Sequence, residues 1–169
     1  MHHLNQVSKD TSTSYQQILT ELEYLLEGET DWLANLANVA SHLFHSLKQV
    51  NWAGFYLLKE NELVLGPFMG KPACVRISIG KGVCGTAVST NQTQRVDDVH
   101  LFPGHIACDA TSCSEIVIPL RVNGKIIGVL DIDSPIRQRF SEEDQKALEQ
   151  YVEIVLKKTN FLPLLEQSL

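Results

Sequence analysis

One hairpin constrains this chain more than any other segment. Branched apolar runs at 115–122 and 125–133 flank Asn123-Gly124, a dipeptide that accepts the positive φ angles of a tight β-turn. Strand side chains alternate between faces, so a slip of one residue moves every side chain to the wrong side. A two-residue loop would pair Val122 with Lys125 and Ile116 with Asp131, mixing apolar and acidic residues. A three-residue loop, with Gly124 in a bulge, pairs Arg121 with Lys125, Ile118 with Gly128 and Glu115 with Asp131. One face then carries Ile116, Ile118, Leu120, Ile126, Gly128, Leu130 and Ile132. The other carries Glu115, Val117, Ile127, Val129, Asp131 and Asp133. Burial selects the second register, and Glu115, Asp131 and Asp133 are expected to project together from one end of a sheet.

The rest of the chain supplies what such a sheet packs on. Helical periodicity runs over 12–27 and again after Asp31 through Lys48. His42 and His45 lie three apart on the second helix and are read as a partly exposed face rather than a metal pair. Residues 51–59 alternate as a strand, with Trp52, Gly54 and Tyr56 on one face and Ala53, Phe55 and Leu57 on the other. Strands follow at 63–69, 75–79 and 94–96, with a short helix at 83–90. A long loop at 97–114 holds His100, His105, Cys108 and Cys113, and loops of that length in a compact domain usually serve function. Ser141 and Asp144 form a capping box for a last helix. The order implies an α+β domain, an antiparallel sheet with helices packed on one face.

Composition narrows the function. The chain has 169 residues, 44% of them hydrophobic, with a net charge of -6, which suits one domain with a real core and excludes disorder as the main state. No window of 18 apolar residues lacks a charge, so no membrane partner is expected. A pI near 5.5 argues against general nucleic-acid binding. The first ten residues lack the apolar stretch of a secretory signal, so a cytoplasmic location is expected.

The chemistry-bearing residues form two sets. Cys74, Cys84, Cys108 and Cys113 fall within one 40-residue stretch, and clustered cytosolic thiols are redox, catalytic or metal-binding more often than structural. Burial as small hydrophobes explains one or two of them. Zinc could use His100, His105, Cys108 and Cys113, although no C-x-x-C spacing is present. Redox catalysis could use Cys84, whose thiol at a helix start beside Lys81 is expected to have a lowered pKa, or Cys108 beside His105. The acids Glu115, Asp131 and Asp133 repel one another, so at least one carboxyl should be raised toward neutrality. Such a trio suits an ammonium group, a metal ion or proton donation; an exposed acidic strand end is the plain alternative.

The segments PACVRISIGKGVCGTA (72–87), DVHLFPGHIACDATSCSEIVIPL (98–120) and GVLDIDSP (128–135) resemble the free methionine-(R)-sulfoxide reductases, which are GAF-domain enzymes. The resemblance implies a single GAF-like domain with a sheet of about six antiparallel strands, commonly a homodimer. It implies reduction of free methionine-(R)-sulfoxide, with no bound cofactor and no metal. By motif, Cys108 matches the nucleophile, Cys84 the principal resolving cysteine and Cys74 a further redox cysteine. Glu115, Asp131 and Asp133 match the substrate-binding acids, and Trp52 and Tyr56 the aromatic side of the pocket. Cys113 matches no redox cysteine of the pattern.

The expected reaction passes through a Cys108 sulfenic acid, condensed to a disulfide by Cys84 and reset by a thioredoxin-type dithiol. Residues 1–12 are expected to form a mobile terminus, 13–160 the catalytic domain and 161–169 a tail. The rival readings are a GAF domain that senses a small ligand without catalysis, and a zinc-stabilised interaction domain.

Overall fold

The computed structural model describes residues 11–105 and 108–166. The expected mobile terminus lies outside the described residues except for its last two, which belong to the first helix. The elements run α1 (Thr11–Leu25), α2 (Trp32–Ser46), β1 (Trp52–Lys59), β2 (Glu62–Gly70), β3 (Arg76–Ser78), α3 (Gly82–Thr90), β4 (Gln94–Val96), a single 3-10 turn (Val99–Leu101), β5 (Ser114–Val122), β6 (Lys125–Ser134), α4 (Glu142–Lys158) and α5 (Leu162–Glu166). The six strands form one sheet in the order β3-β2-β1-β6-β5-β4, and every pairing is antiparallel. The α+β architecture is the one expected.

The pleat divides the interior in two. Ala53, Phe55 and Leu57 of β1 join Ile116, Ile118, Leu120, Leu130 and Ile132 in a core covered by α1, α2 and α4. Trp52 and Tyr56 lie on the other face with Val117 and Val129, where α3 contributes Val83, Cys84, Ala87 and Val88. The sheet is therefore backed by three long helices on one face, with the short α3 on the other. Among the described residues, no helix is long and apolar enough to cross a membrane.

Local signals account for the helix boundaries. Asp31 caps α2 by accepting from the Ala34 amide at 2.8 Å. Ser141 and Asp144 complete the capping box at the start of α4. His42 and His45 do not meet as a metal pair. His42 Nδ1 lies 2.7 Å from the Tyr151 hydroxyl, and His45 Nδ1 lies 2.8 Å from the Ser41 carbonyl. Phe161 and Leu164, within the stretch read as a tail, are buried against the main core.

The hairpin corrects the expected register while keeping its parity. Asn123 (φ 51°) and Gly124 (φ 76°) make the tight turn themselves, and Val122 pairs with Lys125. The bulge lies one step further in, between Leu120 and Arg121 on β5, where Ile127 of β6 is the extra residue. Beyond it Ile118 pairs with Leu130, Val117 with Asp131 and Glu115 with Asp133. Ile127, not Ile126, joins the main core. A bulge restores the apolar face wherever it lies, so patterning sets the parity but not the bulge position.

Candidate active site

The acids stand on adjacent strands at the centre of the sheet. Asp133 of β6 lies between Trp52 of β1 and Glu115 of β5, and Asp131 lies between Gly54 and Val117. All three project toward the α3 face, as the alternation requires. Glu115 is 5% exposed and Asp131 6%. Asp131 Oδ1 is buried without a hydrogen-bond partner. The nearest basic partner of the trio among the described residues is His105, whose Nε2 is 4.0 Å from Glu115 Oε2. Burial, followed by the neighbouring His100, lowers the His105 pKa, so its ring does little to neutralise the acids.

Burial shifts all three carboxyls in one direction. Desolvation raises Glu115 well above the carboxylate range, and Asp131 and Asp133 add repulsion. Desolvation also raises Asp133, with Asp131 and Asp109 contributing. Asp131 is pushed up to about 6 by burial. The trio thus holds protons well above the usual carboxylate range.

Cys84 sits in the first turn of α3, held close by Gly85. A Cβ on Gly85 would fall 2.4 Å from the Ser78 carbonyl oxygen, so only glycine lets the helix approach β3 this closely. Cys84 Sγ reaches Glu115 Oε1 at 3.9 Å. The expectation of a lowered thiol pKa there is overturned. Burial, then Asp131, Glu115 and Asp133, push the Cys84 thiol well up. A helix N-terminus contributes up to about 1 kcal/mol at exposed sites, whereas full burial moves a pKa by as much as 3–5 units, and burial wins.

Cys108 is bonded to Cys74, with Cα atoms 5.6 Å apart, while Cys84 and Cys113 are free thiols. The sequence favoured Cys84 as the partner of Cys108; the structure joins Cys108 to Cys74 instead. Cys108 is exposed and Cys74 half-buried. Cys113 Sγ points to the Thr111 carbonyl at 3.7 Å. The four candidate zinc ligands do not cluster: among the described residues the one set of three possible ligands is Cys84, Glu115 and Asp131, with donor atoms within 4.8 Å of one another.

Aromatic rings wall the remaining side. Trp52 stacks on Tyr56 at 5.9 Å and on Phe68 at 5.2 Å between centroids. The Trp52 indole donates to the Lys71 carbonyl at 3.1 Å, and the Tyr56 hydroxyl to the Cys74 carbonyl at 2.8 Å. Tyr56 thereby ties the aromatic wall to the 71–75 connection that carries Cys74. Of the site residues named from the sequence, Trp52, Tyr56, Cys84, Cys108, Glu115, Asp131 and Asp133 line one cavity, and Cys74 is tied to it by its bond to Cys108 and by the Tyr56 hydroxyl.

Two contributions to the site lie outside the sequence reading. The sequence offers His105 as a zinc ligand or a neighbour of Cys108, and the structure brings its Nε2 to 4.0 Å from Glu115 Oε2. Asn51 donates to Thr111 and Ser112 at 3.2 and 3.3 Å, and its amide to the Asp133 carbonyl at 3.0 Å. It pins the loop carrying Cys108 to the sheet. A polar residue directly before an apolar strand was the available signal.

Residues 13–155 match the GAF domain family. Protein YtsP of Bacillus subtilis is 57% identical over 159 residues, covering 93% of this chain and 98% of that protein. The free methionine-R-sulfoxide reductase of Escherichia coli is 56% identical over 150 residues, covering 87% of this chain and 91% of that enzyme. Among solved structures, the free methionine-R-sulfoxide reductase of Neisseria meningitidis in complex with its substrate superposes with a TM-score of 0.85 at 42% identity, covering 99% and 98% of the two chains.

Proposed function

The chain belongs to the GAF-domain family of free methionine-R-sulfoxide reductases, and from that premise we propose that it reduces free methionine-(R)-sulfoxide to methionine at the Cys108 sulfur. One observation carries the reading. An exposed sulfur already paired with a second cysteine stands over a cavity floored by buried acids with which no Lys or Arg among the described residues forms an ion pair.

A sulfoxide sulfur becomes electrophilic once its oxygen gains a proton. Glu115, whose carboxyl is pushed well above the usual range by burial and by its acidic neighbours, supplies that proton. Asp131, with its pKa near 6, ionises at neutral pH, and its unpartnered Oδ1 accepts the substrate ammonium. Asp133 lines the same cavity and offers a further carboxyl oxygen to the ammonium. Trp52 and Tyr56 surround the methyl group.

The Cys108 thiolate attacks the sulfoxide sulfur, methionine leaves with two more electrons, and the oxygen stays on Cys108 as a sulfenic acid. A second thiolate attacks that sulfur, a disulfide forms and water departs. The bond between Cys74 and Cys108 favours Cys74 for this step. Cys84 is a poor nucleophile while its thiol stays protonated. A thioredoxin-type dithiol resets the pair by exchange, in a reducing cytoplasm that leaves Cys84 and Cys113 free.

Reduced protein incubated with racemic free methionine sulfoxide and dithiothreitol tests the reading. Loss of the R epimer alone, stopping at half conversion, is expected. A folded, reduced protein that forms no methionine would overturn it and leave ligand sensing.

A further inference from the structure

We propose that Cys84, Glu115 and Asp131 form a site for a borderline-soft divalent cation, with Zn2+ the ion that fits best. The inference goes beyond catalysis, because Cys84 has no step in the reaction proposed above and the site does not depend on that reaction. Three observations carry it. The possible ligand atoms of the three side chains lie within 4.8 Å of one another, and all three residues are buried. Asp131 is 6% exposed and its Oδ1 has no hydrogen-bond partner, so one buried acceptor in the cavity waits for a donor or a cation. No Lys or Arg among the described residues forms an ion pair with either acid.

The spacing suits a small tetrahedral ion. Bonds of about 2.3 Å to sulfur and about 2.0–2.2 Å to oxygen, at the tetrahedral angle, set the S···O separation at about 3.6 Å. Cys84 Sγ and Glu115 Oε1 stand 3.9 Å apart, a few tenths of an ångström from that value. A water molecule completes the fourth position. Calcium and magnesium fit poorly, since they take six or more oxygen ligands and avoid thiolates. A sulfur, two carboxylate oxygens and a water molecule are a ligand set that zinc accepts. On binding, the Cys84 proton is released to solvent and the ion's charge offsets the buried anions. Zinc held there fills the space assigned above to the substrate ammonium, so it would act as an inhibitor.

Cobalt serves as a spectroscopic stand-in for zinc. The protein with the Cys74–Cys108 bond intact keeps only Cys84 and Cys113 as thiols, so no reductant is needed. Co2+ is expected to give a thiolate-to-metal charge-transfer band that saturates at one ion per chain and is bleached by Zn2+. The band should persist in Cys113→Ser and vanish in Cys84→Ser. Glu115→Gln, shown to be folded by circular dichroism, should weaken zinc affinity at least about tenfold. Absence of the band in the unmodified protein, or a band unchanged in Cys84→Ser, would overturn the proposal. Should Cys84→Ser fail to fold, unchanged zinc affinity in Glu115→Gln would overturn it equally.

Discussion

The two faces of the β5–β6 hairpin use the same pleat for opposite ends. Toward α1, α2 and α4, Ile116, Ile118, Leu130 and Ile132 pack among apolar neighbours. Toward α3, alternate positions of the same strands bury Glu115 and Asp131 beside a thiol. The first face gains stability from every methylene it hides. The second holds carboxyls whose raised pKa values mean that burial opposes their charge. Strand alternation lets stability and chemistry sit one residue apart without sharing a side chain, so each can be changed alone.

Cys108→Ser should separate the faces most sharply. Turnover of free methionine sulfoxide should fall by at least about 10⁴-fold, while the melting temperature of the reduced protein stays within about 1 °C of the reduced parent. A variant that still forms methionine would remove Cys108 from the nucleophile role. Ile132→Ala, one residue from either acid, should do the reverse. Its stability in urea should fall by about 2–5 kcal/mol, with kcat of the folded fraction largely kept.

Asp131→Asn sharpens the comparison through pH. The folded carboxyl titrates near 6, above its unfolded value of 3.8. Between those values the native state binds a proton the unfolded chain has lost. The contribution is full below pH 3.8 and is lost as pH rises through about 6. Removing the charge should flatten that slope and stabilise the protein at pH 8 by about 1–3 kcal/mol, while kcat/KM for the free amino acid drops. A variant less stable than its parent at pH 8 would count against the raised pKa. Cys113→Ser should change least, within about 0.5 kcal/mol in stability and with turnover unaltered. A large loss of turnover would bring Cys113 into the redox cycle.

Much of this was legible in the sequence because it depends on alternation. Trp52 and Tyr56 fall opposite Ala53 and Phe55, and the three acids share a face, whichever register the hairpin takes within its parity. The bulge at Ile127 was not legible, since several positions restore the same apolar face. The Cys84 thiol was misjudged because its first-turn position is a local fact, whereas its burial against Glu115 comes from packing between distant segments. Likewise the partner of Cys108 depends on where the 97–114 loop is pinned. Asn51, Thr111 and Ser112 fix that, and no motif spacing encodes it.

The most direct test of the account is whether the buried acids read the substrate's free amino group. The kcat/KM of the reduced protein should be measured for free methionine-(R)-sulfoxide and for its N-acetyl derivative, which has no ammonium. The account predicts a preference for the free amino acid of at least about 10³-fold, as expected where a buried group loses its partner. Comparable rates on the two compounds would contradict it.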